Sequence, residues 1–211
     1  MTQIGLFPLE LVLMPTERIP LNIFEERYKE LIGECLERDE EFGIVLMRGS
    51  GDMHHVGTRA AISDVLEVLP DGRMHIVVEG GDRFRVLEVD HQRAFATGTV
   101  EELTDEEDPP DPDDVDRARE TYRQIQEAVG TPGEPPDRDS PLLAFELVAR
   151  VDFSTVNKQE LLELTSPRQR FERLAVLLEH ALEALVLEQE LRQRAHGNGK
   201  VTPFDRGQSD R

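Results

Sequence analysis

The chain has 211 residues, 38% of them apolar, which is enough for a domain with a real hydrophobic core. Its formal net charge of −20 disfavours nucleic-acid binding, because neutralising phosphates requires clustered Lys and Arg. The single cysteine, Cys35, excludes an intramolecular disulfide, and the sequence has neither an apolar run of membrane-spanning length nor a signal-peptide pattern, so we expect a soluble cytoplasmic protein that binds no membrane.

Short apolar runs separated by turn residues dominate residues 1–103, and one helical pattern interrupts them. The run 11–14 ends at Pro15 and predicts a short buried strand. From Asn22 onward apolar residues recur at helical spacing, and Glu25 completes a capping pair, which predicts a helix that starts here. Further strands are predicted over 42–47, 56–69, 74–78, 84–89 and 95–100. Strands this short and numerous favour a small twisted barrel or sandwich.

An acidic segment separates this β-rich half from a second half. Residues 101–116 hold ten carboxylates, three prolines and no basic residue, so we expect 104–116 to be a solvated linker between two domains. Beyond it, helical spacing predicts a helical subdomain over 117–196, and the tail 197–211 has no periodicity, which predicts disorder. The predicted helices cover about 113–129, 141–151, 157–164 and 167–195, and Ser166 is the expected cap of the last one.

Several motifs occur along the chain in a recognisable order and spacing. In the first half they are Leu6-Phe7-Pro8-Leu9, Ile19-Pro20-Leu21-Asn22-Ile23-Phe24-Glu25-Glu26-Arg27-Tyr28, Val56-Gly57-Thr58, Leu69-Pro70-Asp71-Gly72 and Glu79-Gly80-Gly81-Asp82-Arg83. In the second half they are Leu161-Leu162-Glu163-Leu164 and Arg170-Phe171-Glu172-Arg173-Leu174. Together they resemble the N-terminal, substrate-binding domain of Lon-type proteases over roughly residues 3–190.

The resemblance implies an α+β fold. This fold has an N-terminal β-rich, PUA-like pseudo-barrel with one inserted helix, followed by a C-terminal α-helical bundle with a long last helix. It also implies recognition of polypeptides that are unfolded or tagged. The sequence contains no phosphate-binding loop for an ATPase and no motif of the Ser-Lys peptidase that full-length Lon carries. We therefore expect a non-catalytic polypeptide-binding module without a cofactor, an adaptor or regulator in protein quality control.

Two other functions stay open at this point. A small hydrolase would need titratable residues that converge, and Lys158 four residues after Ser154 is a spacing that arises by chance. Nucleic-acid binding by a pseudo-barrel rests on fold analogy alone, and the charge opposes it. We expect His54 and His55 to be exposed rather than metal ligands, and Cys35 to be a core residue rather than a nucleophile.

Candidate peptide-binding residues lie at the proline-bounded crossing before the predicted helix. Met14, Ile19 and Leu21 are expected to form an exposed apolar rim there. Such a rim suits varied peptides, because Met and Leu side chains repack around different partners. Phe24 and Tyr28 are expected to pack inward on the helix.

Candidate association residues lie at the far end of the last helix. Leu185, Val186, Leu187 and Leu191 follow the part of the apolar stripe that the shorter helices can cover. We expect a second copy or another protein to bury these four, because a patch of large aliphatic side chains is rarely left in water. This predicts self-association through the C-terminal helix.

Overall fold

The computed structural model describes residues 2–49, 51–131 and 133–197 of the chain. The β-rich half contains β1 (Thr2–Leu9), β2 (Arg18–Ile23), α1 (Glu26–Arg38), β3 (Phe42–Met47), β4 (Met53–Val68), β5 (Met74–Asp90) and β6 (Thr97–Glu102). The helical half contains α2 (Pro112–Val129), α3 (Leu143–Ala149), α4 (Thr155–Glu163) and α5 (Pro167–Gly197). The predicted α+β class with a long last helix is confirmed.

The strands form one sheet in the order β2-β5-β4-β3-β1-β6, and the sheet closes on itself because β5 also pairs with β6. β1 and β3 run parallel, and the other pairs are antiparallel. The first part of β5 pairs with β2 and its last part with β6, while β4 lies beside both parts. A pseudo-barrel results, extended at one end by the three strands β2, β5 and β4.

The long strand β5 joins two strands that the sequence predicts separately. The apparent break between them is the glycine-rich corner at Gly80, where the segment before β2 crosses the strand. The backbone N–H of Thr16 donates to the Gly80 carbonyl at 2.7 Å, and the Gly80 N–H donates to the Glu17 carbonyl at 2.9 Å. A side chain at Gly80 would collide with the Met14 carbonyl, so the close approach of the two backbones requires glycine.

Buried apolar residues form three clusters. One lies under α1 and includes Leu13, Leu21, Ile23, Tyr28, Leu31, Ile32, Phe42, Ile76 and Val78. A second fills the barrel with Ile4, Leu6, Val45, Phe84, Val86 and Val100. The third joins the two halves, because Val12, Met14, Leu46 and Val56 pack with the apolar faces of the helices. Residues 11–14 thus place side chains in two of these clusters. They form no strand, so the prediction of a strand there is wrong.

The acidic segment departs from the predicted linker. It is largely exposed, as expected, but α2 already begins at Pro112 and two carboxylates are anchored. Asp105 accepts hydrogen bonds from Arg83 of β5 and Arg170 of α5, and Asp108 accepts one of 2.6 Å from a serine hydroxyl at the start of α5. The segment therefore fastens the two halves to each other, and the prediction of a freely solvated linker is wrong at these positions.

The start of α5 is as predicted. Ser166 Oγ accepts a hydrogen bond from the backbone N–H of Gln169 at 3.1 Å, which satisfies one of the free donors of the first turn. The predicted disordered tail lies outside the described residues, apart from Gly197, the last residue of the helix. None of the described helices is both long and apolar enough to cross a membrane.

The far end of α5 differs in part from the prediction. Leu185 is partly buried and packs against the cluster that joins the halves, so its predicted projection beyond the bundle is wrong. α2 ends at Val129, close to the predicted end, but it lies beside α5 as far as Gln189, because Gln189 Nε2 donates to the Ala128 carbonyl in the last turn of α2 at 2.6 Å. Val186, Leu187 and Leu191 are exposed by 45%, 57% and 55%.

Candidate polypeptide-binding surface

Phe24 is an exposed aromatic residue between β2 and α1. Neighbouring residues of an extended chain point to opposite faces, and the burial of Ile23 therefore turns Phe24 outward. The Phe24 side chain is 64% exposed. The helix begins only at Glu26, so the predicted helix start at Asn22 and the predicted inward packing of Phe24 are wrong.

Phe24 borders a groove of about 240 Å³ that adjoins a second depression of about 350 Å³. The two share Pro8, Arg27, Tyr28 and Met47, so they form one continuous surface. We call it the Phe24 surface and define it by its apolar members Pro8, Phe24, Tyr28, Met47 and Met53.

Tyr28 forms a fixed floor for this surface and packs inward as predicted. Its ring stacks on Phe7 with 4.0 Å between centroids, and the Arg27 guanidinium lies 4.5 Å from the Tyr28 ring centroid. Burial raises the pKa of the Tyr28 phenol, an effect that Arg27 opposes and Glu25 reinforces. The phenol is therefore protonated at neutral pH and keeps one O–H donor.

The outer members of the Phe24 surface are adaptable. Met47, at the end of β3, is 39% exposed, and an unbranched thioether side chain fills irregular gaps at little cost. Glu10, Glu25 and Arg27 add charges of both signs to the lining of the groove beside Phe24. An exposed aromatic ring and an unbranched methionine beside a buried ring form an apolar surface that suits side chains of varied shape.

Comparison with known proteins assigns the chain to a family. Residues 3–180 match the family described as the ATP-dependent protease La (LON) substrate-binding domain. The chain belongs to this family. It is 27% identical over 203 residues to the Lon protease of Xanthomonas oryzae, which covers 88% of this chain and 24% of that protease. The Lon protease of Methylocella silvestris is 30% identical over 174 residues, with 75% of this chain and 21% of that protease covered.

Solved structures agree with this assignment of the chain to the Lon substrate-binding domain family. A Lon N-terminal domain protein from Xanthomonas campestris has a TM-score of 0.68 and 27% identity, and the match covers 83% of this chain and 98% of that one. The N-terminal domain of a Mycobacterium avium complex Lon protease has a TM-score of 0.66, covers 84% and 98%, and at 16% identity supports the fold alone. The chain spans about a quarter of the length of the Lon proteases that it matches.

In this Lon substrate-binding domain the three predicted rim residues do not form an exposed rim. Met14 is fully buried between the halves, and Leu21 is 8% exposed under α1. Ile19 is partly buried against the same core as Leu21. The prediction of an exposed rim is wrong for Met14 and Leu21, because Met14 packs with the helical half and Leu21 faces the core under α1. The exposed apolar residue is Phe24, which strand alternation after a buried residue could have indicated.

The polar residues that the sequence brings to notice have structural roles. Lys158 Nζ donates to Glu17 Oε1 at 2.9 Å, while Ser154 Oγ accepts from the backbone N–H of Asn157 at 3.3 Å as the cap of α4. Lys158 is thus engaged away from Ser154. Within the part of the chain that the structure describes, no three His, Cys, Asp or Glu side chains group as metal ligands.

Proposed function

We propose that this chain binds unfolded polypeptides at the Phe24 surface, as an adaptor or regulator of protein quality control in the cytoplasm, without catalysis of its own. The single observation that carries the proposal is the 64% exposure of Phe24 beside Met47 on a surface whose floor is the buried, stacked ring of Tyr28. Membership of a family described as the substrate-binding domain of an ATP-dependent protease supports it.

The non-catalytic part of the proposal rests on the sequence. ATP hydrolysis and peptide cleavage require groups that are not visible in its motifs, and Lys158 is paired with Glu17. Purified protein should therefore neither release phosphate from ATP nor cleave an unfolded protein. Turnover that persists through purification and disappears on a single substitution would show that the chain is an enzyme.

Binding of a permanently unfolded protein tests the proposal. We would titrate fluorescein-labelled, reduced and carboxymethylated lactalbumin with the wild type and with Phe24→Ser and Met47→Ser, and read the fluorescence anisotropy. Loss of an aromatic contact at the centre of a surface should weaken binding by about tenfold or more. Val156→Ser is the matched control, because Val156 is 72% exposed on α4 and lies outside the Phe24 surface. Equal affinity of all variants would show that the Phe24 surface is not the binding site.

We also propose self-association through the distal part of α5. Leu187 and Leu191 are one turn apart, so they lie on the same side of the helix, and both are more than half exposed. Val186 adds a third exposed aliphatic side chain next to them. A second copy that presents the same stripe would bury all three.

A further inference from the structure

The second half of β4 is an open edge of the three-stranded extension. β3 pairs with β4 only as far as Ala60, whereas β5 continues beside β4 to Val68. Among the described residues, no strand pairs with residues 61–68 on the side away from β5. Every residue from Ser63 to Val68 is exposed, so none of the elements in the described ranges covers this edge.

One face of the extension is apolar in three rows that run across β2, β5 and β4. Residues paired directly across antiparallel strands share a face of the sheet. The rows are Ile19, Val78 and Ile62; Leu21, Ile76 and Val65; and Ile23, Met74 and Val68. On β4 these residues are three apart rather than two, because the register shifts between Ile62 and Asp64 and again between Val65 and Glu67.

The cover that α1 provides ends before it reaches β4. In the rows, Ile76 and Val78 are fully buried and Leu21 is 8% exposed. Val65 and Val68 belong to the same face, yet they are exposed by 38% and 63%. The apolar face of the sheet thus continues uncovered to an edge whose backbone groups are free to pair.

Natural edge strands are usually short or lined with charges that prevent pairing, and exposed large apolar residues on such an edge favour pairing. Here the charged residues within 61–68 are both acidic, Asp64 and Glu67, although Arg18 of β2 reaches the Ser63 hydroxyl at 3.2 Å and His75 lies 3.5 Å from Glu67. The chain as a whole carries −20. A second copy of this edge would place carboxylates against carboxylates, which destabilises strand pairing. A strand with basic side chains meets no such repulsion.

We propose that an extended polypeptide segment with apolar and basic side chains adds to the sheet along residues 61–68. Its backbone completes the ladder of β4, its apolar side chains cover Val65 and Val68 beside α1, and its basic side chains meet Asp64 and Glu67. This inference rests on the proposed recognition of polypeptides and adds a binding mode on a surface separate from Phe24. The substrate class is therefore an unfolded segment with β-strand propensity and positive charge.

The test uses a fluorescein-labelled probe of about eight residues, alternating valine and lysine, which matches the length of the edge. A second probe has the same side chains but carries N-methyl groups on alternate backbone amides, so it cannot complete a ladder. We expect the first probe to bind the full chain and the methylated probe to bind about tenfold more weakly or worse. Equal binding of the two probes would overturn strand addition.

Variants and hydrogen exchange place the probe on the molecule. Val65→Lys with Val68→Lys should weaken binding of the first probe by about tenfold, whereas Val156→Lys, at another exposed valine, should leave it unchanged. The probe should slow amide exchange within 61–68 of the wild-type chain, a readout that does not depend on how the double variant folds. Protection confined to other residues would overturn the proposal, and so would a dimer of the chain that the same two substitutions dissociate.

Failure of this inference is distinguishable from failure of the proposed function. If carboxymethylated lactalbumin binds and Phe24→Ser weakens it while the valine-lysine probe does not bind, the edge is not a site and the Phe24 surface stands. If the probe protects 61–68 while Phe24→Ser changes nothing for lactalbumin, the edge stands and the Phe24 surface does not.

Discussion

Arg170 Nη1, in the first turn of α5, donates a hydrogen bond of 2.8 Å to Asp105 Oδ2 in the segment that leaves the barrel. Arg83 of β5 donates to the other oxygen of the same carboxylate. It also donates to the Leu162 carbonyl, at 2.7 Å. Both guanidiniums lie over the ring of Phe145, at 5.0 Å for Arg83 and 4.3 Å for Arg170. One carboxylate between two buried cations thus joins the barrel to the helical half.

Replacing Asp105 by Asn should destabilise the fold strongly. Arg83 and Arg170 are 5% and 2% exposed and would lose their anion, while the Asp105 side chain itself is 31% exposed, so we expect a loss of about 1.5–3 kcal/mol, as for hydrogen bonds to charged groups. The free energy of unfolding in urea measures this loss. Asp139→Asn is the control, because that carboxylate is 89% exposed and should change stability by less than about 0.5 kcal/mol. A small effect of Asp105→Asn would mean that the cluster does not stabilise the joint.

Acid should weaken the same joint. Burial raises the pKa of Asp105, but the hydrogen bond and charge of Arg170, and then those of Arg83, outweigh it and hold the pKa below its usual range. A carboxyl with a lowered folded pKa contributes stability above its unfolded pKa of about 3.9 and loses it as pH falls through the folded value. Unfolding free energies measured from about pH 5 to about pH 3 should therefore fall more steeply for the wild type than for Asp105→Asn. Parallel curves would contradict this prediction.

Cys35 should be unreactive in the folded protein. It is 6% exposed, and burial, followed by the charges of Glu40 and Glu34, raises the pKa of its thiol to about 11. The thiolate is the reactive form, so alkylation by iodoacetamide at about pH 8 should be at least about a hundredfold slower in the native chain than in urea. Mass spectrometry reads the rate directly, because Cys35 is the single cysteine. Similar rates in both conditions would show that the pocket around Cys35 is open.

Leu187→Gln with Leu191→Gln should weaken self-association. Burial of one such side chain contributes about 1.5–3 kcal/mol. The double variant should therefore need protein concentrations about tenfold higher or more than the wild type to form the dimer. Light scattering over a concentration series measures the mass, and Val156→Gln is the matched control for an exposed aliphatic residue. A wild type that stays monomeric at every concentration would exclude the proposal for α5.

Local patterns predict the elements of this fold better than its long-range contacts. The helical spacing and the serine cap predict α5, because caps and apolar stripes depend on residues close together in sequence. The anchoring of Asp105 is invisible at that scale, since its partners Arg83 and Arg170 are 22 and 65 residues away. A carboxylate in an acidic run looks solvated until tertiary structure brings a buried cation to it.

At the candidate surfaces, too, local patterns are insufficient where contacts between distant segments decide which side chains are exposed. The helical spacing from Phe24 to Tyr28 predicts that Phe24 faces the core. β2, however, extends to Ile23, and the Phe24 side chain therefore points away from the buried Ile23, into solvent. Met14 looked like a rim residue because prolines flank the crossing, and only the fold shows that the crossing turns its side chain between the halves. The shared face of Ile62, Val65 and Val68 on β4 is not visible in the sequence, because two register shifts interrupt the alternation of side chains between the two faces of the strand.

Photo-crosslinking from position 24 tests most directly that the Phe24 surface holds an unfolded polypeptide. A benzoylphenylalanine introduced in place of Phe24 retains the exposed aromatic ring and inserts into C–H bonds within reach. On irradiation with carboxymethylated lactalbumin, this variant should form a covalent adduct, while the same group in place of Val156 should not. Unlabelled lactalbumin should compete the adduct away. Equal crosslinking from both positions, or none from position 24 when lactalbumin is bound, would contradict the proposed site.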